Sequence, residues 1–273
     1  MVWAAMDGMV GAALASPTRL APMEHPIGID FGGTGIKGAP VDLERGDFAQ
    51  DRVRIDTPKP ADPQSVAAVF QQIVDSFPAS TTPVGVTVPG IVRRGVVLSA
   101  ANIDKSWIRE DADAIFTEAL GREVHVVNDA DAAGLAEAEY GAAKGRGGQV
   151  MVITLGTGIG SALIGDGELV PNTEMGHLEI DGAVAESRAA TSAREREGLS
   201  WKEWSERLTA YFRHLERLFT PDLFVVGGGV SKSWDKFGHL IEIETEIIPA
   251  RLENRAGIVG AALVAHRKAG QDD

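Results

Sequence analysis

The chain has 273 residues, of which 44% are hydrophobic and 24% charged, and its formal net charge is -13. This composition is typical of a globular protein with a sizeable core and excludes a disordered or fibrous chain. The acidic balance argues against general binding of nucleic acid, because the mean field repels phosphate. No cysteine is present, which excludes disulfides and thiol catalysis and fits a cytoplasmic location.

Residues 1–25 are interpreted as a flexible N-terminal extension that precedes the fold. They are rich in Ala, Met and Gly, and no Lys or Arg precedes Arg19, so the charged leading region of a secretory signal is missing. No run along the chain approaches the roughly 20 apolar residues that a membrane helix needs. We therefore expect no membrane partner, and an ordered fold that begins at residue 26.

The first half of the ordered chain alternates strands and helices. Residues 27–31 and 36–43 are predicted strands joined by a tight glycine turn, and the apolar spacing of 63–77 predicts an amphipathic helix. The pattern then predicts a strand at 84–92 broken by Pro89-Gly90, a helix at 109–120, a strand at 123–128 and a helix at 131–142.

The second half repeats this order. A strand at 150–155 runs through a glycine turn into a strand at 161–164, which forms a hairpin with 168–170. A strand at 222–226 and a last helix at 256–266 follow a long helix at 201–219, whose apolar face comprises Trp204, Leu208, Tyr211, Leu215 and Leu218.

Two strand–turn–strand units about 125 residues apart indicate a duplicated α/β fold, with two similar domains facing across a central cleft. We place a small N-terminal α/β domain at 26–129 and a larger C-terminal α/β domain at 130–273. The last helix is a candidate to pack back toward the first domain.

The first glycine turn combines several groups that suit an anion. Gly32 and Gly33 let backbone N–H groups converge on a phosphate without obstruction by Cβ atoms. Thr34 adds a hydroxyl and Lys37 a cation, while Asp30 at the strand end is a candidate ligand for a hydrated Mg²⁺. An ordinary glycine-rich hairpin is the simpler interpretation of one such turn taken alone.

Two further glycine clusters extend this pattern. The second turn, with Thr157 and Gly158, has the same design, and two such turns would clamp a phosphate chain from both sides. The third cluster follows an apolar strand, where a nucleotide could lie against bare backbone, and comprises Gly227, Gly228 and Gly229. A plain strand-to-helix turn explains the third cluster almost as well.

Asn128 and Asp129 stand at the end of an apolar strand, where open α/β folds usually bind ligands. Asp129 is a candidate general base for a substrate hydroxyl, a role worth roughly 10²–10⁴-fold in rate. The alternative is a helix N-cap, which either residue would satisfy.

A carboxylate and an imidazole lie three residues apart at Glu174 and His177. This pair suits a polyol, whose adjacent hydroxyls need acceptors and donors, or a metal ion. The metal interpretation lacks a second histidine or any cysteine nearby. A lone surface or core histidine remains an alternative.

As a set, these motifs resemble the ROK family of sugar kinases, in the hexokinase–actin–Hsp70 superfamily, and within it the branch that uses polyphosphate. The matching segments follow the family order: Ile-Gly-Ile-Asp-Phe-Gly-Gly-Thr at 27–34, Val-Pro-Gly at 88–90, Asn-Asp-Ala at 128–130, Leu-Gly-Thr-Gly at 155–158, Glu-Met-Gly-His at 174–177 and Val-Val-Gly-Gly-Gly-Val at 225–230.

The resemblance implies an actin-like (ribonuclease H-like) fold and phosphoryl transfer from polyphosphate or ATP to the 6-hydroxyl of glucose, with mannose as a further acceptor. It implies that Asp129 is the catalytic base and that the sugar ligands are Asn102, Asn128, Asp129, Glu174, His177 and Glu186. It also implies phosphate contacts from Gly32, Gly33, Thr34, Lys37, Thr157 and Gly158.

One departure from the family concerns metal. Most members carry a cysteine-rich zinc motif after the Gly-His dipeptide, whereas this chain has no cysteine. We therefore expect no zinc here, and Mg²⁺ or a similar divalent cation as the cofactor. The expected partners are the sugar and its phosphoryl donor, and the protein is expected to be a monomer or homodimer. The alternatives are an ATP-dependent kinase for another hexose such as N-acetylmannosamine, a non-catalytic sugar sensor, and an actin-like ATPase.

Overall fold

The computed structural model describes residues 25–77, 82–100 and 103–270. The predicted N-terminal extension therefore lies outside the described residues, apart from His25. No helix within the described ranges is long and apolar enough to cross a membrane.

The first half is built on a mixed sheet. Its strands pair in the order β3–β2–β1–β5–β8, with β4 on β2, while β6 and β7 form a separate ribbon. Strands β1, β5 and β8 are parallel, so their carboxyl ends meet at one edge. The strands are β1 (Ile27–Phe31), β2 (Ile36–Asp42), β3 (Asp47–Phe48), β4 (Val53–Ile55), β5 (Val84–Val88), β6 (Val92–Arg93), β7 (Val96–Val97) and β8 (Val124–Asn128).

Two helices of this half bury apolar side chains in the core under the sheet. Helix α1 (Pro63–Asp75) is capped by the Asp62 side chain and has proline at its first position. Helix α2 (Ala112–Leu120) is capped by Asp111. The predicted start of this helix at residue 109 is wrong, because Arg109 has a left-handed φ of 73° that a right-handed helix excludes.

The second half repeats the arrangement on a second sheet, in the order β11–β10–β9–β14–β15, with β12 and β13 as a separate hairpin. Strand β10 runs antiparallel to β9, as β2 runs antiparallel to β1. Strand β14 lies parallel to β9 on its other side. The strands are β9 (Gln149–Leu155), β10 (Ile159–Gly165), β11 (Glu168–Val170), β12 (Glu179–Ile180), β13 (Ala183–Val184), β14 (Leu223–Gly227) and β15 (Glu246–Pro249).

The remaining helices are α3 (Asp129–Glu139), α4 (Ala185–Ala189), α5 (Thr191–Glu197), α6 (Trp201–Phe219) and α7 (Ala256–Ala269). Helix α6 has the predicted bounds, because Ser200 and Glu203 form a capping box at its start. Four of its five predicted core residues are buried, but Leu218 is 55% exposed. The last turn directs Phe219 toward the core in its place.

Two helices cross between the halves. Helix α3 leaves the end of β8 in the first sheet and packs against β9 and β10 of the second. Helix α7 follows β15 of the second sheet and packs against β1, β5 and β8 of the first. Because α3 and α7 also contact each other, this helix pair joins the two halves.

The helix pair packs through glycine and alanine. A methyl group at Gly28 would overlap the carbonyl oxygen of Ile258 in α7, and one at Gly260 would overlap that of Ala132 in α3. Bare backbone at these positions lets each element approach the next to close contact. We call this contact of α3, α7 and the first sheet the helix seam.

We expect Gly28→Ala to destabilise the protein by about 1–3 kcal/mol, because its methyl group meets helix backbone rather than a flexible side chain. Gly165→Ala is the matched control, since no atom lies within 4 Å of its added methyl group. Urea unfolding measures both differences from the wild type. Equal stability of the two variants would contradict the packing argument.

Candidate active site

The carboxylate of Asp129 lies at the first residue of α3, directly after β8. Asn128 caps this helix, and its side-chain oxygen accepts hydrogen bonds from the N–H groups of Ala130 and Asp131 at 2.8 and 3.0 Å. The cap starts α3 two residues before its predicted position. The Asp129 Oδ1 also accepts from the Ala130 N–H at 3.0 Å, and the residue is exposed at the cleft.

Asp30 lies near the end of β1, beside β5. Its Oδ1 accepts a hydrogen bond from the Thr87 hydroxyl at 3.1 Å, and its Oδ2 lies 3.4 Å from Nζ of Lys37. The Thr87 oxygen in turn accepts from the Phe31 N–H. Neighbours on two strands therefore orient this carboxylate, whose side chain stays 25% exposed.

A cavity of about 190 Å³ opens between the two halves. The first half contributes Asp30 and Lys37, α3 contributes Asp129, and the second half contributes Gly227 and Gly228. The structure thus brings the candidate base, the candidate metal ligand, a cation and part of the third glycine cluster onto one surface. This cavity lies at the carboxyl ends of the parallel strands, as expected for an open α/β fold.

The pKa of Asp129 is raised to about 6. The largest cause is desolvation by the surrounding protein, to which the negative charges of Asp30 and Glu174 add. Asp129 is nevertheless exposed and lines the cavity, so water reaches the residue there. An aspartate with this pKa is a stronger base than usual and is still mostly ionised at neutral pH.

The first glycine turn is braced by two side chains that the sequence analysis missed. The Thr57 hydroxyl donates to the Gly32 carbonyl at 2.5 Å, and the Arg54 guanidinium donates to the Thr34 carbonyl at 3.1 Å. Arg54 also pairs in register with Lys37 across β4 and β2. This pairing with Lys37 could have identified Arg54 as a site residue, but it can be recognised only once the strand order is known.

The second glycine turn is braced by the start of α5 and by α4. The Ser192 hydroxyl donates to the Thr157 carbonyl at 2.6 Å. The Glu186 carboxylate accepts from the Ile159 N–H at 3.2 Å and lies against Gly158, where a methyl group would overlap it. A predicted sugar ligand therefore contacts a predicted phosphate turn.

Glu174, His177 and Glu186 form a cluster beside this turn. The histidine Nδ1 lies 4.0 Å from the Glu174 carboxylate, and its Nε2 lies 3.6 Å from that of Glu186. Buried Ser161 on β10 orients the loop, because its hydroxyl accepts from the Met175 N–H at 3.0 Å. Two carboxylates and an imidazole on a partly exposed surface offer the acceptors and donors that adjacent sugar hydroxyls require.

The third glycine cluster needs glycine at its middle position. Gly228 has a φ of 84°, and a methyl group there would overlap the backbone of Leu155. Gly229 begins a 3₁₀ helix and does not line the cavity.

Glu137 on α3, a residue that the sequence analysis missed, also lines the cavity. This carboxylate is 1% exposed and accepts hydrogen bonds from the N–H groups of Ala142, Arg251 and Leu252, at 2.7, 3.0 and 2.7 Å. It fixes the loop after β15, part of which lines the cavity.

A second buried acid on α3, Asp131, was also missed as a site residue. It is 2% exposed, and its Oδ2 accepts from the Asn172 N–H at 2.8 Å. Its Oδ1 has no hydrogen-bond partner among the described residues. Desolvation is the main cause that raises the pKa of Asp131 to about 7, with contributions from the charges of Glu174 and Asp129.

Some predicted features lie elsewhere. Asn102 is outside the described residues. In the described part of the chain, no group of three or more His, Asp or Glu side chains is arranged to hold a metal ion. A larger cavity of about 560 Å³, lined by α4, α6 and the β12–β13 hairpin, contains none of the predicted site residues. The smaller cavity, which gathers carboxylates, a cation and glycines, is therefore the candidate active site.

Residues 26–195 match the ROK family model. The chain belongs to the ROK family. A polyphosphate glucokinase of Mycobacterium tuberculosis (strain CDC 1551 / Oshkosh) is 49% identical over 242 residues, which are 88% of this chain and 91% of that protein.

Two solved structures are similar to this one over most of its length. The inorganic polyphosphate/ATP-glucomannokinase from Arthrobacter sp. strain KM is 56% identical with a TM-score of 0.86, covering 90% of this chain and 99% of that one. A ROK family glucokinase from Streptomyces griseus, in complex with glucose and AMPPNP, is 26% identical with a TM-score of 0.77, covering 89% and 99%. These likenesses confirm the predicted actin-like duplicated α/β fold.

Asp131→Asn should stabilise the protein more at pH 8 than at pH 5. The asparagine keeps an oxygen acceptor for Asn172 and removes a buried carboxylate whose pKa is about 7. The folded pKa of about 7 exceeds the unfolded pKa of about 3.9. The stability that Asp131 contributes is therefore fully present below pH 3.9 and is lost as pH rises through 7. Melting temperatures at both pH values measure the effect.

The exposed Asp235 provides a control for this substitution. Asp235→Asn removes the same charge from the surface and is expected to change the melting temperature equally, and little, at both pH values. If Asp131→Asn raises the melting temperature equally at pH 5 and pH 8, the carboxyl of Asp131 does not ionise between these pH values in the folded protein.

Proposed function

We propose that this protein transfers the terminal phosphoryl group of inorganic polyphosphate or ATP to the 6-hydroxyl of glucose, with Asp129 as the general base. The observation that carries this proposal is the position of Asp129. Its carboxylate, whose pKa desolvation raises to about 6, shares a cavity with Asp30 and Lys37 and is close enough to Glu174 for that charge to add to the rise. The 49% identity to a polyphosphate glucokinase supports the substrates.

The sugar binds in this proposal to the cluster beside the second turn. Glu174, His177 and Glu186 face its hydroxyls. Asn128 offers one amide N–H, because its oxygen caps α3 and its other N–H donates to the Gly90 carbonyl. Asn102 completes the set from the segment after β7. Mannose is a second acceptor, because it differs from glucose only at the 2-hydroxyl and because the similar Arthrobacter enzyme is a glucomannokinase.

The donor binds between the glycine turns. Backbone N–H groups of Gly32, Gly33 and Gly158, the hydroxyls of Thr34 and Thr157, and the Lys37 ammonium hold its terminal phosphates. When ATP is the donor, its nucleoside lies against the third cluster, Gly227, Gly228 and Gly229. A polyphosphate chain uses the same phosphate positions without that nucleoside contact.

Asp30 suits a divalent cation in chemistry and setting. Mg²⁺ is usually held by one or two carboxylates, with waters and substrate phosphates completing its shell. Asp30 offers one oriented and partly exposed carboxylate on the donor cavity. Mg²⁺ or a similar cation bound there supplies charge neutralisation for the donor phosphates.

The reaction itself needs one proton acceptor. The sugar O6 attacks the terminal phosphorus, a new O6–P bond forms and the bond from phosphorus to the bridging oxygen breaks. Asp129 takes the hydroxyl proton, and the shortened polyphosphate or ADP leaves with the electron pair of the broken bond. The turn amides and Lys37 stabilise charge on the transferred group.

This proposal includes a cytoplasmic monomer or homodimer without nucleic acid or membrane partners. A kinase for N-acetylmannosamine or an actin-like ATPase would share most of the phosphate contacts, so the acceptor must be tested directly. A coupled assay of sugar 6-phosphate formation offers glucose, mannose and N-acetylmannosamine, each with ATP or polyphosphate. Phosphorylation of N-acetylmannosamine alone, or ATP hydrolysis that is independent of sugar, would overturn the assignment.

Asp129→Asn should lower kcat for glucose phosphorylation by roughly 10²–10⁴-fold, because an amide cannot take the hydroxyl proton. The steady-state coupled assay measures this loss. Asp235→Asn, an exposed change of the same kind, is the matched control and should retain wild-type rates. Glucose-dependent thermal stabilisation of both variants shows whether the sugar site is intact. An Asp129→Asn activity within a few-fold of wild type would remove Asp129 from the base role.

The pH profile should show the ionisation of this base. Because the pKa of Asp129 is about 6, its basic form predominates above that pH, and kcat/KM for glucose should fall as pH drops through 6. Measuring the profile with polyphosphate and with ATP separates ionisation of the enzyme from that of the donor. A limb that appears with only one donor belongs to that donor and would contradict the assignment.

A further inference from the structure

The two halves of the molecule are joined at the sugar end by a paired hydrogen bond. The side-chain oxygen of Asn172, in the loop after β11, accepts from the Val92 N–H at 3.0 Å. Its amide nitrogen donates to the Val92 carbonyl at 2.9 Å. One asparagine side chain in the second half therefore satisfies both backbone groups of one residue in the first half.

Asn172 is itself held rigidly in this position. Its backbone N–H donates to the buried carboxylate of Asp131 at 2.8 Å. Its φ is 58°, in the left-handed region that asparagine tolerates better than most residues. Helix α3 thus anchors the backbone of Asn172, while the side chain reaches the first half.

Both ends of this link lead to proposed sugar ligands. Asn172 is two residues before Glu174. Val92 begins the β6–β7 ribbon, which is closed by hydrogen bonds between Ile91 and residues 98–99. It lies two residues after Gly90, whose carbonyl is bound by the proposed ligand Asn128. The link therefore joins the loop that carries Glu174 in the second half to the stretch of the first half that Asn128 contacts.

A second amide contacts the same stretch of the first half. The Nδ2 of Asn128 donates to the Gly90 carbonyl at 3.0 Å. Asn128 belongs to the first sheet, however, so this bond ties the stretch to its own half. Asn172 makes the contact that crosses from one half to the other.

We propose that Asn172 is a positioning residue that latches the two halves together and sets the spacing between sugar ligands contributed by each. This inference rests on the proposed sugar site and assigns a role to a residue that contacts neither donor nor base. Paired side-chain hydrogen bonds to the backbone hold this spacing before the sugar arrives, so sugar binding needs less ordering of the two halves.

Asn172→Gly tests this proposal, because glycine keeps the left-handed backbone and removes only the latch. The expected result is a rise in KM for glucose of roughly five- to thirtyfold, with the KM for polyphosphate and ATP within about twofold of wild type. The matched control is Thr220→Gly, a second left-handed residue that lies at the end of α6. It should leave every constant unchanged.

A merely structural role for Asn172 would give a different pattern. General loosening of the fold would raise the KM values for sugar and donor together, or lower kcat with both donors while the KM for glucose stays constant. Either pattern, or wild-type kinetics throughout, would overturn the latch.

A distance measurement tests the latch without using kinase activity. The chain has no cysteine, so Glu118→Cys on α2 and Lys202→Cys on α6 place a single pair of spin labels on exposed positions of the two halves. Without sugar, the distance distribution should be narrow in the latched protein and broader or longer after Asn172→Gly. Identical distributions would overturn the latch, whereas failure of the labelled parent to phosphorylate glucose would count against the proposed function alone.

Discussion

The close approach of α3 and α7 is the constraint on which the active site depends. Each helix packs against the sheet of the other half. Gly260 lets α7 approach α3, and Gly28 and Gly85 let α7 approach strands β1 and β5. Because α3 carries Asp129 at its first residue, the packing that joins the halves also sets the position of the proposed base. The position of Asp129 is therefore set by core packing. A substitution in the helix seam can shift this residue even when the substituted side chain does not line the cavity.

Negative charge is concentrated where an anionic donor is proposed to bind. Asp30 and Glu174 add to the desolvation that raises the pKa of Asp129, and Lys37 is the cation among the residues that line this cavity in the described part of the chain. The donor charge must therefore be met by turn amides, Lys37 and a divalent cation together. Desolvation and these carboxylates together raise the pKa of Asp129, so the charges that strengthen the proposed base also oppose the anionic donor.

Local signals explain how much of this molecule was predictable. Helix α6 has its predicted bounds because its apolar periodicity and the Ser200 cap indicate the same start. The glycine turns and Asp129 were found because each lies within a short sequence motif. The start of α2 was wrong because the left-handed backbone of Arg109 has no signature in a polar sequence. Asp131 and Glu137 were missed because an acid on a helix reads as surface until its distant partners are known, and those partners lie 41 and 114 residues away.

The segment after His177 is a small hairpin, β12–β13, whose Leu178 and Ile180 pack against the core of the second half. Most members of the family carry a cysteine-rich motif at this place, whereas here hydrocarbon contacts fasten the same stretch of chain. Such contacts depend on the burial of apolar surface. The position of the imidazole therefore depends on how the hairpin packs against the second core, and a polar substitution at Leu178 or Ile180 would reach His177 through that packing.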